Sequence, residues 1–503
     1  VTYTQSKWSD AVSGEFSDTT KWDTGVVPTK TAADVVNGYI FNKAVDYTVF
    51  LDKTATLNYL HIGQDYQKDE PGKVTVVVTN NLTMASQNGN FTAYRPEYGD
   101  VKDDVARRSL WLEGPRAEMV VKEGANLTIG RIHVGCSDYS AHMYTYDDVP
   151  DDMELRHFSI DDDRRYVLPV IKEAQRLQPE LFCFSSVWTP PAWMKLNGEL
   201  CGGWISRRHL PVFCDYYVKF LQAYAKEGIK VSAISAQNEP CSDQDGESPE
   251  CKWGPNEEMT FLAKLMPPRL KAAGLDTQLW MHDCEPHEWR QVVSELDDPE
   301  VRKNTAAIAW HSYGADPTAY LAEVRKRYPN VPMYHTEMGP HLDGTRTITW
   351  WGKKFTPFVN GGCSSLTSWC MVLGPKGLPN TSRGFNCAGF IEVEPFNLPF
   401  GKVGAHIRPS AQWDFFRHIG PYVDGGAQVL ATDYASQIAF QHAIPMSERF
   451  VMAFRNPDGA YVIVATNTHE GMDRKVQLQV KLDGQYTWFQ LPSKSVSTII
   501  IRR

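Results

Sequence analysis

K-V-S-A-I-S-A-Q-N-E-P (230–240) opens on small and branched residues that suit a buried strand, then breaks into Gln237, Asn238 and Glu239 before Pro240 blocks its continuation. A strand that is apolar along its length and ends in a carboxylate reads as part of a parallel sheet with chemistry at its carboxyl end. The pattern recurs on both sides. N-L-T-I-G-R-I-H-V (126–134) and L-F-C-F-S-S-V-W (181–188) precede it. Q-L-W-M-H-D (278–283), A-A-I-A-W-H-S-Y (306–313), V-P-M-Y-H-T-E (331–337) and S-S-L-T-S-W-C (364–370) follow. Between them lie helical stretches; in one, Phe213, Tyr217, Phe220, Leu221 and Tyr224 form a stripe at i, i+4, i+7, i+8 and i+11. Apolar strands alternating with amphipathic helices predict a parallel sheet, and seven of them over roughly 250 residues predict a TIM-type (β/α) barrel.

The flanks read differently. Residues 1–122 are short alternating runs such as Y-T-V-F-L (47–51), L-N-Y-L-H-I (57–62) and K-V-T-V-V-V-T (73–79), spaced for a sandwich or a short solenoid. After a last helix near 412–423 the chain returns to strands, with N-P-D-G (456–459) as a hairpin turn. The expected organisation is a β-rich N-terminal region over 1–122, the barrel over 123–424 and a C-terminal β-sandwich over 425–503.

A net charge of −9 without a basic run argues against nucleic acid and against an anionic membrane surface. No apolar run approaches the roughly 20 residues of a membrane helix. The chain opens on Val1, from which a trimmed N-terminus and a secreted or extracytoplasmic site are expected. Ten cysteines lack any metal-ligand rhythm, so no zinc or redox site and no cofactor is assigned. Cys241 and Cys251 bracket an acidic loop and are read either as a local disulfide or as two thiols. Asp243 and Asp245 hint at calcium without the rest of an EF-hand loop. Sequons stand at Asn81, Asn90, Asn126 and Asn380.

The reactive groups of a parallel barrel sit at the carboxyl ends of its strands. Those ends hold Asp138, Trp188, Asn238, Glu239, Asp283, His311, Tyr313, Glu337 and Trp369. Glu239 and Glu337, in A-Q-N-E-P and Y-H-T-E-M-G, would enter one mouth from facing parts of the wall. Glycoside hydrolysis needs such a pair: one carboxyl protonated to assist the leaving oxygen, the other ionised to meet the anomeric carbon. Asn238 is placed to hydrogen-bond a sugar 2-hydroxyl.

At these positions the sequence resembles glycoside hydrolase family 30, in its glucosylceramidase-like branch. The matching segments are G-C-S-D-Y-S-A-H-M-Y-T-Y-D-D-V-P-D-D-M-E-L-R-H-F-S-I (135–160) and S-S-V-W-T-P-P-A-W-M-K-L-N-G (185–198), the latter with Val187 where proline is usual. A-I-S-A-Q-N-E-P, W-H-S-Y and H-T-E-M-G match in order and spacing. The resemblance implies a retaining β-glycosidase with Glu239 as acid/base and Glu337 as nucleophile. It implies Asp138, Trp188 and Asn238 as ligands of the terminal sugar, Trp369 closing that subsite, and Tyr313 on the nucleophile. Arg131 would lie beneath the carboxylates and keep Glu337 ionised, with His311 in support. The implied partner is a β-glucoside-type carbohydrate, with β-fucoside, β-xyloside and β-1,6-glucan as competitors.

One departure is evident. The family's glycine-rich opening strand, G-F-G-G, and its helix have no counterpart; the chain reads L-W-L-E-G-P-R-A-E-M-V-V-K-E-G (110–124) there. The barrel therefore lacks its usual first βα unit, and the N-terminal region is expected to cover the edge this leaves. The rival reading is a non-catalytic carbohydrate-binding or adhesin-like protein on a decayed barrel.

Overall fold

A computed structural model describes residues 124–242, 246–342, 346–381, 387–397, 403–432, 449–468, 476–482 and 484–502. N-terminal to these it describes 3–8, 13–25, 27–28 and the strands between 35 and 121. Asn81, Asn90, Asp243 and Asp245 lie outside the described residues. The chain forms two compact units: Val1–Asn126 with Ile391–Pro409, and Leu127–Phe390 with Ser410–Arg503.

The first unit contains β1 (Tyr3–Lys7), β2 (Gly14–Glu15), β3 (Val35–Phe41), β4 (Tyr47–Leu51), β5 (Ala55–Leu57), β6 (Tyr59–Gly63), β7 (Val74–Val78), β8 (Leu82–Met84), β9 (Leu110–Glu113) and β10 (Ala117–Val121). Their ladders are parallel, in the orders β1-β3-β6-β9, β2-β4-β7-β10 and β5-β8. Asn37 stands beside Tyr59, Tyr47 beside Val74 and Ala55 beside Leu82, so β6-β7-β8 is the next coil above β3-β4-β5. Of the two readings open for 1–122, these ladders make it a short parallel solenoid. Trp8, Phe16 and Trp22 pack edge to face at its start, with the Trp22 indole donating to Phe16 O at 2.9 Å.

The second unit is built on a six-stranded parallel sheet in chain order: β11 (Ile129–Val134), β12 (Phe182–Val187), β13 (Val231–Ser235), β14 (Gln278–Cys284), β15 (Thr305–His311) and β16 (Met333–Glu337). The crossovers carry α1 (Asp161–Leu177), α2 (Leu210–Lys226), α3 (Pro255–Thr260), α4 (Met266–Ala273), α5 (Trp289–Leu296), α6 (Pro299–Asn304) and α7 (Thr318–Arg327). The last strand leads into α8 (Ile348–Gly361). The apolar stripe of α2 is buried throughout, and Gly228 in the left-handed region follows the helix. Inside the curve of the sheet, Trp280 fills space left by Ala233, Ala307 and Ala309 and stacks on Tyr334, centroids 4.3 Å apart. Large and small residues on alternate strands pack the interior, as in a barrel core.

The sheet is a barrel left open. No described strand pairs the outer edge of β11. At the other end, 364–370 is not a ladder strand. It follows β16 through the Ser364 N–H to Met333 O (2.8 Å) and through the Ser365 and Thr367 hydroxyls, both on His335 O (2.9 and 3.0 Å). Side-chain donors replace backbone ones, so apolar patterning over-predicts a strand there.

After β17 (Val372–Leu373), the hairpin of β18 (Ile391–Asn397) and β19 (Val403–Pro409) runs beside β9 in the first unit. The second unit resumes with α9 (Ala411–Phe416) and an antiparallel sheet of β20 (Gln428–Leu430), β21 (Arg449–Arg455), β22 (Tyr461–Asn467) and β25 (Ser495–Ile501). A second layer is formed by β23 (Val476–Leu482) and β24 (Gln485–Leu491). Leu478 and Val480 pack on Val451, Ile463 and Leu491 between the layers, making a β-sandwich. Helix α8 lies on this sandwich, and only glycine fits at 352, because a Cβ there would fall 2.0 Å from Thr466 Oγ1. All ten cysteines are free thiols, Cys241 and Cys251 included.

Candidate active site

The carboxyl ends of the strands are distorted where the polar residues emerge. β13 stops at Ser235, but its path continues in single bonds, from Asn238 N–H to Val187 O (2.7 Å) and from Glu239 N–H to Asp283 O (3.0 Å). β14 bulges between His282 and Cys284. Glu239, His282 and Asp283 hold φ values of 47°, 76° and 53°, a left-handed backbone that non-glycine residues adopt at a cost. The bulge turns Asp283 inward, and the turn after β13 delivers Glu239 to the same space.

Arg131 on β11 lies beneath both. Its Nη1 donates to Glu337 Oε2; its Nη2 donates to Asp283 Oδ2 (2.7 Å), Asn238 Oδ1 (2.8 Å) and Ser186 Oγ (3.1 Å). Asp283 also accepts from the hydroxyls of Ser186 (2.5 Å), Ser235 (2.7 Å) and Thr336 (2.8 Å). His311 bridges the centre, Nε2 being 3.3 Å from Asp283 Oδ1 and Nδ1 2.9 Å from Glu239 Oε1. Tyr313 OH donates to Glu337 Oε1 at 2.8 Å. One oxygen of Glu239, one of Glu337 and a ring nitrogen of His311 lie within 4.8 Å of one another.

Burial opposes charge at every one of these groups, so the partners decide which stay ionised. For Asp283, Arg131 and His311 outweigh burial and hold its carboxyl well below the usual range. For His311, Glu337 and the bonds to Asp283 and Glu239 outweigh it and push the imidazole up to about 10, so both ring nitrogens carry protons at neutral pH. Arg131 is likewise raised by Asp283 and Glu337. At Glu337 the balance tips the other way: burial, with Glu239 adding to it, outweighs His311 and Arg131 and moves its pKa upward. The arginine is present, but it limits the rise rather than reversing it.

The walls are aromatic. The rings of Trp188 and Trp369 stack at 4.7 Å and 19°, Tyr139 meets Trp369 edge on, and the Arg131 guanidinium lies 4.6 Å from the Trp188 ring centre. Asp138 is buried beside them with Oδ1 lacking a hydrogen-bond partner. Burial, Glu337 and Glu239 push its pKa well up. The nine residues to which the resemblance gives a role therefore lie together. Arg131, Asn238, Glu239, His311, Tyr313 and Glu337 share one network; Trp188 joins through Arg131, Trp369 through Trp188, and Asp138 beside Trp369.

The sequence comparison decides the kinship. Residues 116–395 match the glycosyl hydrolase family 30 TIM-barrel domain and 438–499 its beta sandwich domain. The chain belongs to glycosyl hydrolase family 30. Among curated proteins it is 27% identical to the lysosomal acid glucosylceramidase of Mus musculus, over 73% of this chain and 74% of that one. It is also 27% identical to the endo-1,6-beta-D-glucanase BGN16.3 of Trichoderma harzianum, over 76% and 78% respectively. Among solved structures, SrfJ from Salmonella typhimurium shares the fold with a TM-score of 0.68 at 24% identity, covering 76% of this chain and 82% of that one.

Within this family 30 site, Asp283 stood among the strand ends in the sequence without a role, and the hydroxyls of Ser186, Ser235 and Thr336 went unread. Their signal is positional, since each precedes a strand-end residue on an inward-facing position. Glu285 was also missed; it accepts from the N–H groups of Tyr313 (2.7 Å) and Gly314 (2.9 Å) and fixes the loop after β15. Glu239, His311 and Glu337 each offer a ligand atom close enough together to surround a cation.

Proposed function

We propose that the chain is a retaining β-glycosidase cleaving β-glucoside-type bonds, with Glu239 as general acid/base and Glu337 as nucleophile. The observation that carries this reading is the carboxylate pair with oxygens within 4.8 Å, one member of it bound by Arg131 and Tyr313. Retaining glycosidases hold their carboxyls ~5–5.5 Å apart, whereas inverting ones need room for a water between them. Two carboxyls at this range share a proton rather than ionise together.

In the first step a Glu337 oxygen bonds the anomeric carbon as the bond to the leaving oxygen breaks. That oxygen takes the proton of Glu239, whose carboxylate is then met by the His311 Nδ1–H. In the second step Glu239 takes a proton from water, the resulting hydroxide attacks the anomeric carbon, and Glu337 leaves as carboxylate. Asn238, oriented by Arg131, is placed for the 2-hydroxyl; Asp138 and the Trp188–Trp369 wall receive the rest of the ring. The names of the mouse and fungal relatives both specify glucose, which favours a β-glucoside over β-fucoside or β-xyloside. The mouse name also specifies the lysosome, in keeping with an extracytoplasmic site of action. Against a decayed, non-catalytic barrel stands the intact charge network around both glutamates.

Initial rates on 4-nitrophenyl β-glucoside, β-fucoside, β-xyloside, β-galactoside and α-glucoside test the proposal, with Glu337→Gln as the blank. Turnover is expected on β-linked sugars only, falling by at least about 10⁴-fold in the variant. Near-parental rates in Glu337→Gln would sink the assignment.

A further inference from the structure

The loop after β11 carries five carboxylates between residues 147 and 154, and their surroundings differ sharply. Asp148 accepts from the Thr145 hydroxyl (2.6 Å), Glu154 from the Arg156 guanidinium (2.8 and 2.6 Å) and Asp152 from the His157 N–H and ring Nδ1 (2.9 and 2.8 Å). Asp147 is different. It is 1% exposed, and neither of its carboxylate oxygens meets a donor at hydrogen-bond geometry. Its backbone is held in place, the Trp193 indole donating to Asp147 O at 2.9 Å.

A buried carboxylate without a donor either keeps a proton or faces a cation. Burial and Asp152 push the Asp147 pKa up to about 6, against the Val149 N–H, His157 and Lys219, so at neutral pH the group is mostly ionised. The Lys219 ammonium does not supply the missing contact; it is bonded to the carbonyls of Glu154 (3.2 Å) and Leu155. Asp147 instead faces Asp152 and His157, and one ligand atom from each of the three lies within 4.8 Å of the others. The Asp152 side chain is 8% exposed and that of His157 61%, which leaves the group open to solvent on the His157 side.

We propose that Asp147, Asp152 and His157 form a site for one divalent cation of the zinc type. Two carboxylates neutralise its charge, and the imidazole favours zinc over calcium, which takes oxygen ligands. Zinc ligands lie ~2.0–2.2 Å from the ion, and the exposed His157 side chain can rotate to that distance. The ring proton that His157 shares with Asp152 leaves as the ion binds. The ion closes the loop across 147–157, and the Trp193 contact ties that closure to the segment after β12. The inference is independent of the glycosidase reading.

Isothermal titration of EDTA-stripped, dialysed Glu337→Gln protein with Zn²⁺ tests it. That background breaks up the trio of Glu239, His311 and Glu337, which also offers three ligand atoms. One equivalent of Zn²⁺ is expected to bind and to raise Tm. Asp147→Asn, which keeps the shape, and His157→Ala, at an exposed side chain, should each weaken binding by about 100-fold or more. Absent binding, or one equivalent bound as tightly in the His157→Ala protein, overturns the inference. So does Ca²⁺ binding more tightly than Zn²⁺, which would leave the imidazole without a part in the site.

Discussion

The second unit buries two pairs of carboxyl groups, and they behave in opposite ways. Glu239 and Glu337 stand at strand ends with Arg131, His311 and Tyr313 bonded to them. Glu258 on α3 and Glu295 on α5 have no cation among the described groups that shift them, and burial pushes both pKa values upward. Glu258 accepts the His282 N–H at 2.6 Å and Glu295 the Gln291 amide at 2.8 Å. Their other oxygens are buried without a hydrogen-bond donor among the described residues. Burial alone makes a carboxyl pair inert. Cations bonded to a pair make its members available for chemistry.

Removing the proposed acid cuts deepest into that contrast. Glu239→Ala should slow substrates with poor leaving groups by about 10²–10⁴-fold, the usual worth of a positioned proton donor. Substrates whose leaving group departs unaided should lose much less. A series of aryl β-glucosides of graded leaving-group acidity measures it; equal losses along the series would remove Glu239 from the acid role.

Taking away the cation should make the catalytic pair resemble the inert one. Arg131→Met strands Asp283 and Glu337 without their shared partner, and breaking a buried pair from one side costs about 3–5 kcal/mol. Arg131 also restrains the upward shift of Glu337. Without it the shift grows, Glu337, the proposed nucleophile, ionises only at higher pH, and the acid limb of kcat/KM moves up. Urea titration and a pH–rate profile read the two effects; an unmoved acid limb would show that Arg131 does not act on Glu337.

The strand-end glutamates were legible because a parallel strand has a definite carboxyl end, and A-Q-N-E-P and H-T-E-M-G mark two of them. Trp188, Trp369 and Tyr313 were legible as strand-end residues, but their roles, and Arg131 altogether, became legible only through family resemblance, since an arginine or tryptophan at a strand end has many ordinary uses. The role of Asp283 was not legible, because it depends on a bulge and on two left-handed residues that no apolar pattern encodes. The solenoid was left open against a sandwich because short alternating strands look alike whether they pair parallel or antiparallel; register, not composition, distinguishes them. Segment 364–370 misled in the other direction, since the backbone N–H of Ser364 and the hydroxyls of Ser365 and Thr367 hold it to β16 without a ladder. The Glu258–Glu295 pair was invisible, lying on two helices that the fold alone brings together.

That pair yields the smallest effect and the one most diagnostic of its chemistry. Its folded pKa values lie above the ordinary glutamate value, so between that value and the folded ones the native state binds more protons than the unfolded chain. Stability then falls as pH rises through this window. Glu295→Gln keeps the shape and replaces one of the two buried carboxyls with a group that does not titrate. The variant should therefore gain on its parent as pH rises from 5 to 8, by on the order of 1 kcal/mol at the upper end. Thermal melts across that range measure it, and a Tm difference independent of pH would mean that the pair is not protonated. Because Glu258 also holds the His282 N–H at the bulge that aims Asp283, kcat/KM of the same variant reports whether the inert pair supports the active one. An unchanged rate with a pH-dependent Tm gain would confine the helix pair to stability and leave catalysis to the pair with cations beneath it.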